Sequence, residues 1–411
     1  MSPLTVKYLG QKVGRLAETA AGIVFEYDPA FIATGHELSP FNLPLRSGVQ
    51  ARGGDKLPGL FDDSLPDAWG RRVMLEWFRQ QGTAGHDVTP LAMLAFVGAH
   101  GMGALTYEPA RDAVEHPWST VSLDTLQAAV LRAEQAGEID LNLLAEVGSS
   151  AGGARPKALI ALPRKGTGRT LAGAGEVPTT HDAWLVKFDT SPDGTHGPME
   201  EAYAQMARAG GVEMPETRLL ETKVDGRVRR HFAVKRFDRE GADRIHHHTL
   251  AAMLHMGGGD LNYETFLRVS RRLTQDEGEV WRAFRRAVFN VLASNRDDHG
   301  KNHGFLYRDR KWQVGPAYDL TFSSVQQLPE RGMAILGERR ATGLEHLLRL
   351  AENEGLARRS AEDIIAQVRA SVARWREFAD QAQVPTIKAA EVSHALTSAP
   401  RQHQGPSVWS L

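Results

Sequence analysis

The sequence predicts an α+β fold whose chain is β-rich at its start, mixed in its middle and helical towards its end. Apolar runs typical of strands occupy residues 4–9 and 22–27, with glycine between them. Much later, apolar side chains recur at helical spacing over residues 281–292. This order predicts an N-terminal β-rich subdomain, a mixed region with a Gly-rich loop, a helical lobe and a flexible tail, at residues 1–115, 116–240, 241–396 and 397–411.

The composition excludes several classes of protein. Of 411 residues, 42% are hydrophobic and 24% charged, which is typical of a globular chain and argues against bulk disorder. The net charge of -1 argues against a protein held to nucleic acid by bulk electrostatics. Cysteine is absent, so disulfides, cysteine nucleophiles and cysteine-based zinc sites are excluded. The N-terminus lacks a signal-peptide pattern and the apolar runs are too short for a membrane span, so we expect a cytoplasmic enzyme.

The secondary structure between these ends is predicted from the spacing of apolar residues and from residues that cap or interrupt helices and strands. Helical periodicity or capping predicts helices at residues 65–80, 90–96, 122–136 and 200–209. Apolar runs predict strands at residues 158–162, 183–188, 217–220 and 231–234, and an exposed, mobile loop at 164–180. From about residue 247 the pattern is helical to about residue 382, apart from a hairpin formed by residues 305–307 and 312–314.

The motif with the clearest chemistry is Asn-Arg-Asp-Asp-His-Gly-Lys-Asn at residues 295–302. It contains Arg-Asp-x-x-x-x-Asn, the spacing of a protein-kinase catalytic loop. Phosphoryl transfer needs a carboxylate to accept the proton of the attacking hydroxyl, which Asp297 would provide. It also needs an amide oxygen and a second carboxylate on Mg²⁺, for which Asn302 and Asp319 are the candidates. Taken alone, the segment is equally well interpreted as a surface loop with turn-forming residues.

A Gly-rich segment at residues 148–157 precedes a predicted strand. Glycines at this density let backbone N–H groups approach phosphate oxygens, and Lys157 adds a positive charge. The order is loop then strand, and the spacing of a Walker A loop is missing. Taken alone, the segment is more typical of a flexible turn.

Lys187 lies in an apolar strand, where its charge is costly unless it is paired. A kinase uses a lysine in such a strand to bind ATP phosphates, paired with a helical glutamate. Glu200 or Glu201, which open the next helix, could be that partner. The alternative is an edge-strand lysine that points to solvent. The order of Gly-rich loop, lysine, glutamate, catalytic loop and aspartate is the order found in kinases.

These motifs together resemble the HipA family of serine/threonine kinase toxins from type II toxin–antitoxin systems. The segments that carry the resemblance span most of the chain and lie at residues 61–72, 98–105, 149–157, 234–239, 295–302 and 316–320. The resemblance implies an atypical two-lobed, protein-kinase-like (HipA-like) fold, with an extra N-terminal β-rich subdomain and a helical C-terminal lobe.

The resemblance also implies roles for individual residues. Asp297 would be the catalytic base, with Asn302 and Asp319 on Mg²⁺. Autophosphorylation is expected at Ser150, with Ser149 as the less favoured site, and would inactivate the kinase by repelling the ATP phosphates. The residues expected to contact ATP are Gly152, Gly153, Ala154, Lys157, Lys187 and Phe237.

The function implied is that of a growth-arresting toxin that phosphorylates a protein on serine or threonine. Members of the family act on an aminoacyl-tRNA synthetase, glutamyl-type or another. They pair with a helix-turn-helix antitoxin of HipB type, so DNA would be contacted only indirectly. Two alternatives stay open: a catalytically weak co-repressor acting with the antitoxin, and a kinase of a small molecule.

Two further features are assigned no function. His246, His247 and His248, with His255 nearby, suggest a metal site, but consecutive side chains on a helix point in different directions. The arginines at 268–272 and 282–286 are interpreted as solvated helix faces rather than a nucleic-acid surface.

Overall fold

The computed structural model describes residues 3–54, 56–110, 118–141, 143–144, 155–165, 168–173 and 176–398. The chain divides into two compact units. The first comprises Met1–Gly197, Pro215–Met256 and Gly304–Gly315, and the second Pro198–Met214, Gly257–His303 and Pro316–Leu411. The boundaries expected from the sequence, near residues 115, 240 and 396, stay a prediction.

The first unit begins with an antiparallel five-stranded sheet of order β4-β3-β2-β1-β5. Its strands are β1 Leu4–Tyr8, β2 Gln11–Thr19, β3 Gly22–Tyr27, β4 Val49–Gln50 and β5 Leu105–Glu108. The two predicted strands, β1 and β3, are confirmed. The sequence did not reveal β2, because the pairing of β1 with β2 shifts register between Val6 and Lys7. This shift leaves Val13 as an extra buried residue and interrupts the alternation that identifies a strand.

Four helices accompany this sheet in the chain, at α1 Pro29–Ile32, α2 Gly59–Asp62, α3 Ala68–Gln80 and α4 Pro90–Val97. The predicted helix at 65–80 begins three residues late, because Asp67 holds the extended conformation of an N-cap residue. Helix α4 is confirmed within one residue. Its start is fixed by Thr89, whose hydroxyl oxygen accepts a hydrogen bond from the backbone N–H of Ala92.

The central element of the first unit is a six-stranded antiparallel sheet of order β10-β11-β9-β7-β8-β6. Its strands are β6 Ser119–Thr120, β7 Lys157–Pro163, β8 Leu171–Ala172, β9 His181–Lys187, β10 Thr217–Val224 and β11 Arg227–Lys235. All four predicted strands are confirmed. The loop expected at 164–180 is partly wrong, since Leu171–Ala172 pairs with β7 and the side chain of Val177 is buried.

Helix α5, Leu123–Ala136, covers one face of this sheet. Its buried residues Leu126 and Val130 pack in one cluster with Ile160 of β7 and with Trp184 and Val186 of β9. Strand side chains alternate between faces, so this cluster fixes which residues of β7 and β9 lie on the opposite face. Those residues include Lys157 and Lys187.

A third sheet of order β14-β15-β16 and a two-stranded ribbon complete the first unit. The bounds are β12 Arg239–Glu240, β13 Asp243–Arg244, β14 His246–Thr249, α7 Leu250–Met253, β15 Gly304–Arg308 and β16 Lys311–Val314. The predicted hairpin, β15–β16, is confirmed. The helix expected from residue 247 is wrong at its start, because residues 246–249 pair with β15 as a strand.

The strand β14 explains the consecutive histidines without a metal. His246 donates from Nε2 to the carbonyl oxygen of Leu38 at 2.9 Å. His248 contacts a carboxylate oxygen of Asp63 at 2.6 Å through Nδ1 and the Ser39 hydroxyl at 3.0 Å through Nε2. Among the residues that the structure describes, no group of three or more His, Cys, Asp or Glu could hold a metal ion. These histidines join β14 to the segment 38–63 instead.

The second unit is helical, as predicted. It contains most of α6 His196–Ala209, then α8 Tyr263–Thr274, α9 Glu277–Leu292, α10 Leu344–Asn353, α11 Arg358–Ala373, α12 Trp375–Gln381 and α13 Thr386–Ser398. The helices continue past the expected end at residue 382, and residues 399–411 of the predicted tail lie outside the described residues. Over the part of the chain described here, no helix combines the length and the apolar character needed to cross a bilayer.

Buried and half-buried histidines make the stability of the first unit sensitive to acid. Burial lowers the pKa of His231 to about 4, that of His255 to about 4 and that of His246 to about 3. As the pH falls, these histidines therefore become protonated in the unfolded chain at a higher pH than in the folded chain. The free energy of unfolding consequently decreases as the pH drops from about 6.5 towards 4. Each histidine contributes a slope of up to roughly 1.4 kcal/mol per pH unit.

We expect the urea midpoint of the first unit's unfolding to fall steadily between pH 7 and pH 5. In His231→Asn the free energy of unfolding should depend less steeply on pH, by about one proton. In His86→Asn, at an exposed site, this dependence should match that of the parent. A midpoint that stays constant over this range would contradict the prediction.

Candidate functional site

The face of the six-stranded sheet opposite α5 carries two lysines side by side. Lys157 of β7 and Lys187 of β9 are directly opposite each other in the antiparallel register, and their side chains are 2% and 9% exposed. The Lys187 ammonium also lies 5.7 Å from the ring centroid of Phe232 on β11. Like charges directly opposite on adjacent strands are destabilising, so this position favours anions between or beside them. The phosphates of a nucleotide meet that requirement.

The same face becomes apolar further along the strands. Two residues beyond the lysines, Leu159, Leu185 and Val234 are paired across β7, β9 and β11. The backbone N–H of Arg236 then donates to the carbonyl of Ala183 at 2.9 Å, where the chain leaves β11. Phe237 follows directly, with its ring centroid 5.3 Å from that of His247. An apolar floor next to cationic side chains suits a purine base joined to phosphates.

The Gly-rich loop predicted to cradle the phosphates lies outside the described residues. This applies to Ser149, Ser150, Gly152, Gly153 and Ala154, whose roles stay predictions. The described chain resumes at Arg155, and Lys157 is the first residue of β7.

In the second unit, two consecutive aspartates follow the end of α9 but occupy opposite environments. The Asp297 side chain is 55% exposed. The Asp298 side chain is fully buried and accepts hydrogen bonds from the Tyr263 hydroxyl at 2.6 Å, Arg331 Nη1 at 2.6 Å and the Gly332 N–H at 2.8 Å. A proton acceptor for a substrate must be accessible, so of the two only Asp297 is placed for chemistry. Asp298 anchors the loop.

The rest of the loop orients Asn302 beside Asp297. Asn302 ends the short 3₁₀ helix Gly300–Asn302, and its side-chain amide N–H donates to the backbone carbonyl of Asp297 at 2.8 Å. Because the amide nitrogen is used in this way, the amide oxygen is the atom left to bind a cation. His299 Nε2 lies 3.7 Å from a carboxylate oxygen of Asp297.

The segment that carries Asp319 lies against this loop. The Tyr318 hydroxyl donates to the backbone carbonyl of Lys301 at 2.6 Å, so the residue before Asp319 contacts the loop through its side chain. Asp319 itself has a φ of +57°, a left-handed conformation that is unusual for a residue other than glycine and concentrates at functional sites. Mg²⁺ prefers oxygen ligands and is bound by one or two carboxylates together with substrate phosphates. The oxygens of Asn302 and Asp319 fit that requirement.

Three residues to which the sequence assigned no individual role hold this arrangement. Arg296 donates to the backbone carbonyls of Leu328, Arg339 and Arg340, which ties the chain after Asp319 to the loop at residues 295–302. Asp298 and Arg331 form the buried ion pair already described. The available signal was the double aspartate, but nothing in the sequence indicates which of the two is buried.

The helical glutamates proposed as partners of Lys187 lie in the second unit, whereas Lys187 lies in the first. Both are buried on α6. Glu201 accepts a hydrogen bond from the Gln205 amide at 2.8 Å and lies 3.7 Å from Arg208 Nη2. The pairing of Lys187 with Glu200 or Glu201 stays a prediction.

Comparison with known proteins identifies the relatives of this chain. The family model of the HipA-like C-terminal domain matches residues 149–375, and that of the HipA N-terminal domain matches residues 4–108. The fold is similar to that of a chain in the complex of HipA, HipB and operator DNA from the toxin–antitoxin system of Shewanella oneidensis MR-1. The TM-score is 0.70 at 18% identity, covering 96% of this chain and 95% of that one.

A second solved structure, the Helicobacter pylori proinflammatory kinase CtkA, is matched at 16% identity. The match covers 52% of this chain and 92% of that chain, with a TM-score of 0.32, which is too low to support an inference. The likeness to the Shewanella structure shows the fold, and the α+β, HipA-like fold expected from the sequence is confirmed.

Proposed function

The chain belongs to the HipA family, and on that premise we propose that it is an ATP- and Mg²⁺-dependent serine/threonine protein kinase acting as a toxin. The observation that carries the proposal is the environment of Asp297. It is an exposed carboxylate on a loop anchored by its buried neighbour Asp298. The Asn302 amide is bonded to the Asp297 carbonyl, and Tyr318, the residue before Asp319, is bonded to the same loop. The opposed lysines of the first unit support the nucleotide half of the proposal.

In the proposed reaction, Asp297 accepts the proton of a serine or threonine hydroxyl. The hydroxyl oxygen forms a bond to the γ-phosphorus, the bond from that phosphorus to the β–γ bridging oxygen breaks, and ADP leaves. Asn302 and Asp319 would hold Mg²⁺, which neutralises the charge that develops on the phosphate oxygens. Lys157 and Lys187 would orient the phosphates, with the base on the apolar part of the same sheet face near Phe237.

Substrate, partner and regulation follow from family membership as further parts of the proposal. The substrate would be an aminoacyl-tRNA synthetase, glutamyl-type or another, and the partner a helix-turn-helix antitoxin. The similar Shewanella structure was solved with HipB and operator DNA, which supports such a partner. The net charge of -1 gives this chain little general attraction to DNA, so the antitoxin would make the main DNA contacts.

Labelling of the purified chain tests the proposal. With γ-labelled ATP, Mg²⁺ and a cell extract, we expect label on the chain itself and on an extract protein. Label on the chain should map to Ser150; label on Ser149 instead would correct that assignment. Intact mass must first show that the chain is not already phosphorylated. Label on a small molecule alone would favour a small-molecule kinase, and no label would favour a co-repressor.

Metal removal and Asp319→Asn are expected to act on the same step. Excess chelator should abolish labelling, and Asp319→Asn should lower the transfer rate by about 10²-fold or more and raise the Mg²⁺ concentration required. Asp363→Asn, at an exposed position on α11, is the matched control and should behave like the parent. Unchanged Mg²⁺ dependence in Asp319→Asn would remove that residue from the metal site.

A further inference from the structure

A cavity of about 260 Å³ lies within the first unit, beyond the apolar part of the sheet face that carries Lys157 and Lys187. Its walls include Leu159 and Ala183 of the sheet, Val177 and the indole of Trp118. Three arginines also line it, at positions 236, 239 and 244. Apolar walls with a few convergent polar groups are the usual composition of a small-molecule site.

The arginines bring more positive charge to the cavity than the chain neutralises. Among the described residues, Asp238 is the one carboxylate hydrogen-bonded to them, and it is shared by Arg236 and Arg239. Arg244 donates instead to the backbone carbonyls of Ala99, Gly101 and Gly103. Three cations therefore share one buried anion.

The guanidinium groups also hydrogen-bond to backbone carbonyls of the turn at residues 99–103. These bonds do not use all the N–H groups of the three arginines. Arg236 Nη1 and Arg239 Nε make no hydrogen bond to the described residues, and both atoms keep some solvent-accessible surface. Burial, with repulsion from Arg236, lowers the pKa of Arg244 to about 10. The charge of the cluster is therefore incompletely compensated, and an anion would stabilise it.

A further donor, on a lining residue outside the arginine cluster, has no acceptor in the described part of the chain. The Trp118 indole Nε1–H is buried and has no hydrogen-bond partner among the residues that the structure describes. A buried N–H without a partner costs roughly 1–3 kcal/mol, so such groups are normally satisfied by water or a ligand. The cavity thus combines surplus cations with a lining residue whose indole donor is unsatisfied, and it offers its ligand few acceptors. Among the described lining residues, Glu176 is the one carboxylate, and it is exposed.

A nucleotide bound at the lysines does not account for these donors. Arg236 is bonded through its backbone to Ala183, four residues along β9 from Lys187, which corresponds to roughly 13 Å. A nucleotide with its phosphates at the lysines would direct its base, not an anionic group, towards the arginines. We propose that the cavity is a second binding site, for a small molecule that joins a phosphate or carboxylate group to an apolar or aromatic part.

Calorimetric titration of the full chain with three probes tests this site. Benzoate and phenyl phosphate carry the two candidate anions on one ring, and benzamide is the uncharged analogue of benzoate. We expect one of the anions to bind with 1:1 stoichiometry and benzamide to bind at least about 10-fold more weakly. Which anion binds more tightly identifies the class of ligand. No binding of either anion up to about 10 mM, or equal binding of benzamide, would overturn the proposal.

Variants that keep the fold locate the binding. Trp118→Phe retains the apolar wall but removes the indole N–H, and should weaken anion binding about 10-fold. Glu176→Gln removes the negative charge on the rim and should tighten binding about 2- to 5-fold. Arg359→Ala, at an exposed position on α11, should change nothing. Binding that responds to neither cavity variant, or that saturating ATP·Mg²⁺ abolishes, would assign the probe elsewhere and overturn the proposal.

Discussion

Asp297→Asn is expected to lower the rate of phosphate transfer by about 10³-fold while the protein stays folded. Asparagine has nearly the same shape as aspartate but cannot accept the proton of the attacking hydroxyl, and general-base catalysis typically contributes 10²- to 10⁴-fold. The Asp297 side chain is 55% exposed and asparagine keeps its shape, so the substitution disturbs little packing. The thermal midpoint should therefore move by less than about 2 °C.

The measurement is single-turnover transfer from γ-labelled ATP, with ATP binding determined separately. ATP affinity should be little changed, so the loss should lie in the rate and not in binding. Asp363→Asn is the control for a neutralised exposed aspartate. An Asp297→Asn protein that transfers phosphate at the parental rate would rule out Asp297 as the base, and toxicity of that variant in cells would point to the co-repressor alternative.

The sequence predicted the elements whose signals are local and regular. Helix α9 has an uninterrupted apolar stripe, and the β15–β16 hairpin has two apolar runs of strand length around a polar turn. The order of the kinase-like motifs likewise needs only the chain itself. For this reason Asp297, Asn302 and Asp319 could be proposed together before their positions were known.

What the sequence did not predict depends on partners distant in the chain. Residues 246–249 form a strand because they pair with β15, almost 60 residues later, and histidine itself has little preference for strand over helix. The segment that carries Asp319 contacts the loop at residues 295–302 through a hydrogen bond from Tyr318 to a backbone carbonyl. Spacing does not encode that contact. Nor does it reveal which of two adjacent aspartates is buried.

The buried member of that pair has the largest expected effect on stability. Asp298→Asn should destabilise the second unit by about 3–5 kcal/mol, because it leaves the guanidinium of Arg331, itself only 3% exposed, without a counter-charge. The Tyr263 hydroxyl and two backbone N–H groups would lose a charged acceptor as well. The thermal midpoint should fall by roughly 10 °C, against less than about 2 °C for Asp297→Asn.

A double variant of Asp298 and Arg331 separates the effect of their charges from the effect of their shapes. If the cost of Asp298→Asn comes from the uncompensated arginine, then Asp298→Asn with Arg331→Met should recover much of the lost stability, since removing both charges is far less costly than removing one. Arg331→Met alone should be destabilising, because it leaves the Asp298 charge buried with fewer donors. Strictly additive losses would show that the pair does not act as a unit. Near-parental stability of Asp298→Asn would mean that the loop carrying Asp297 is anchored by Arg296 and its carbonyl partners instead.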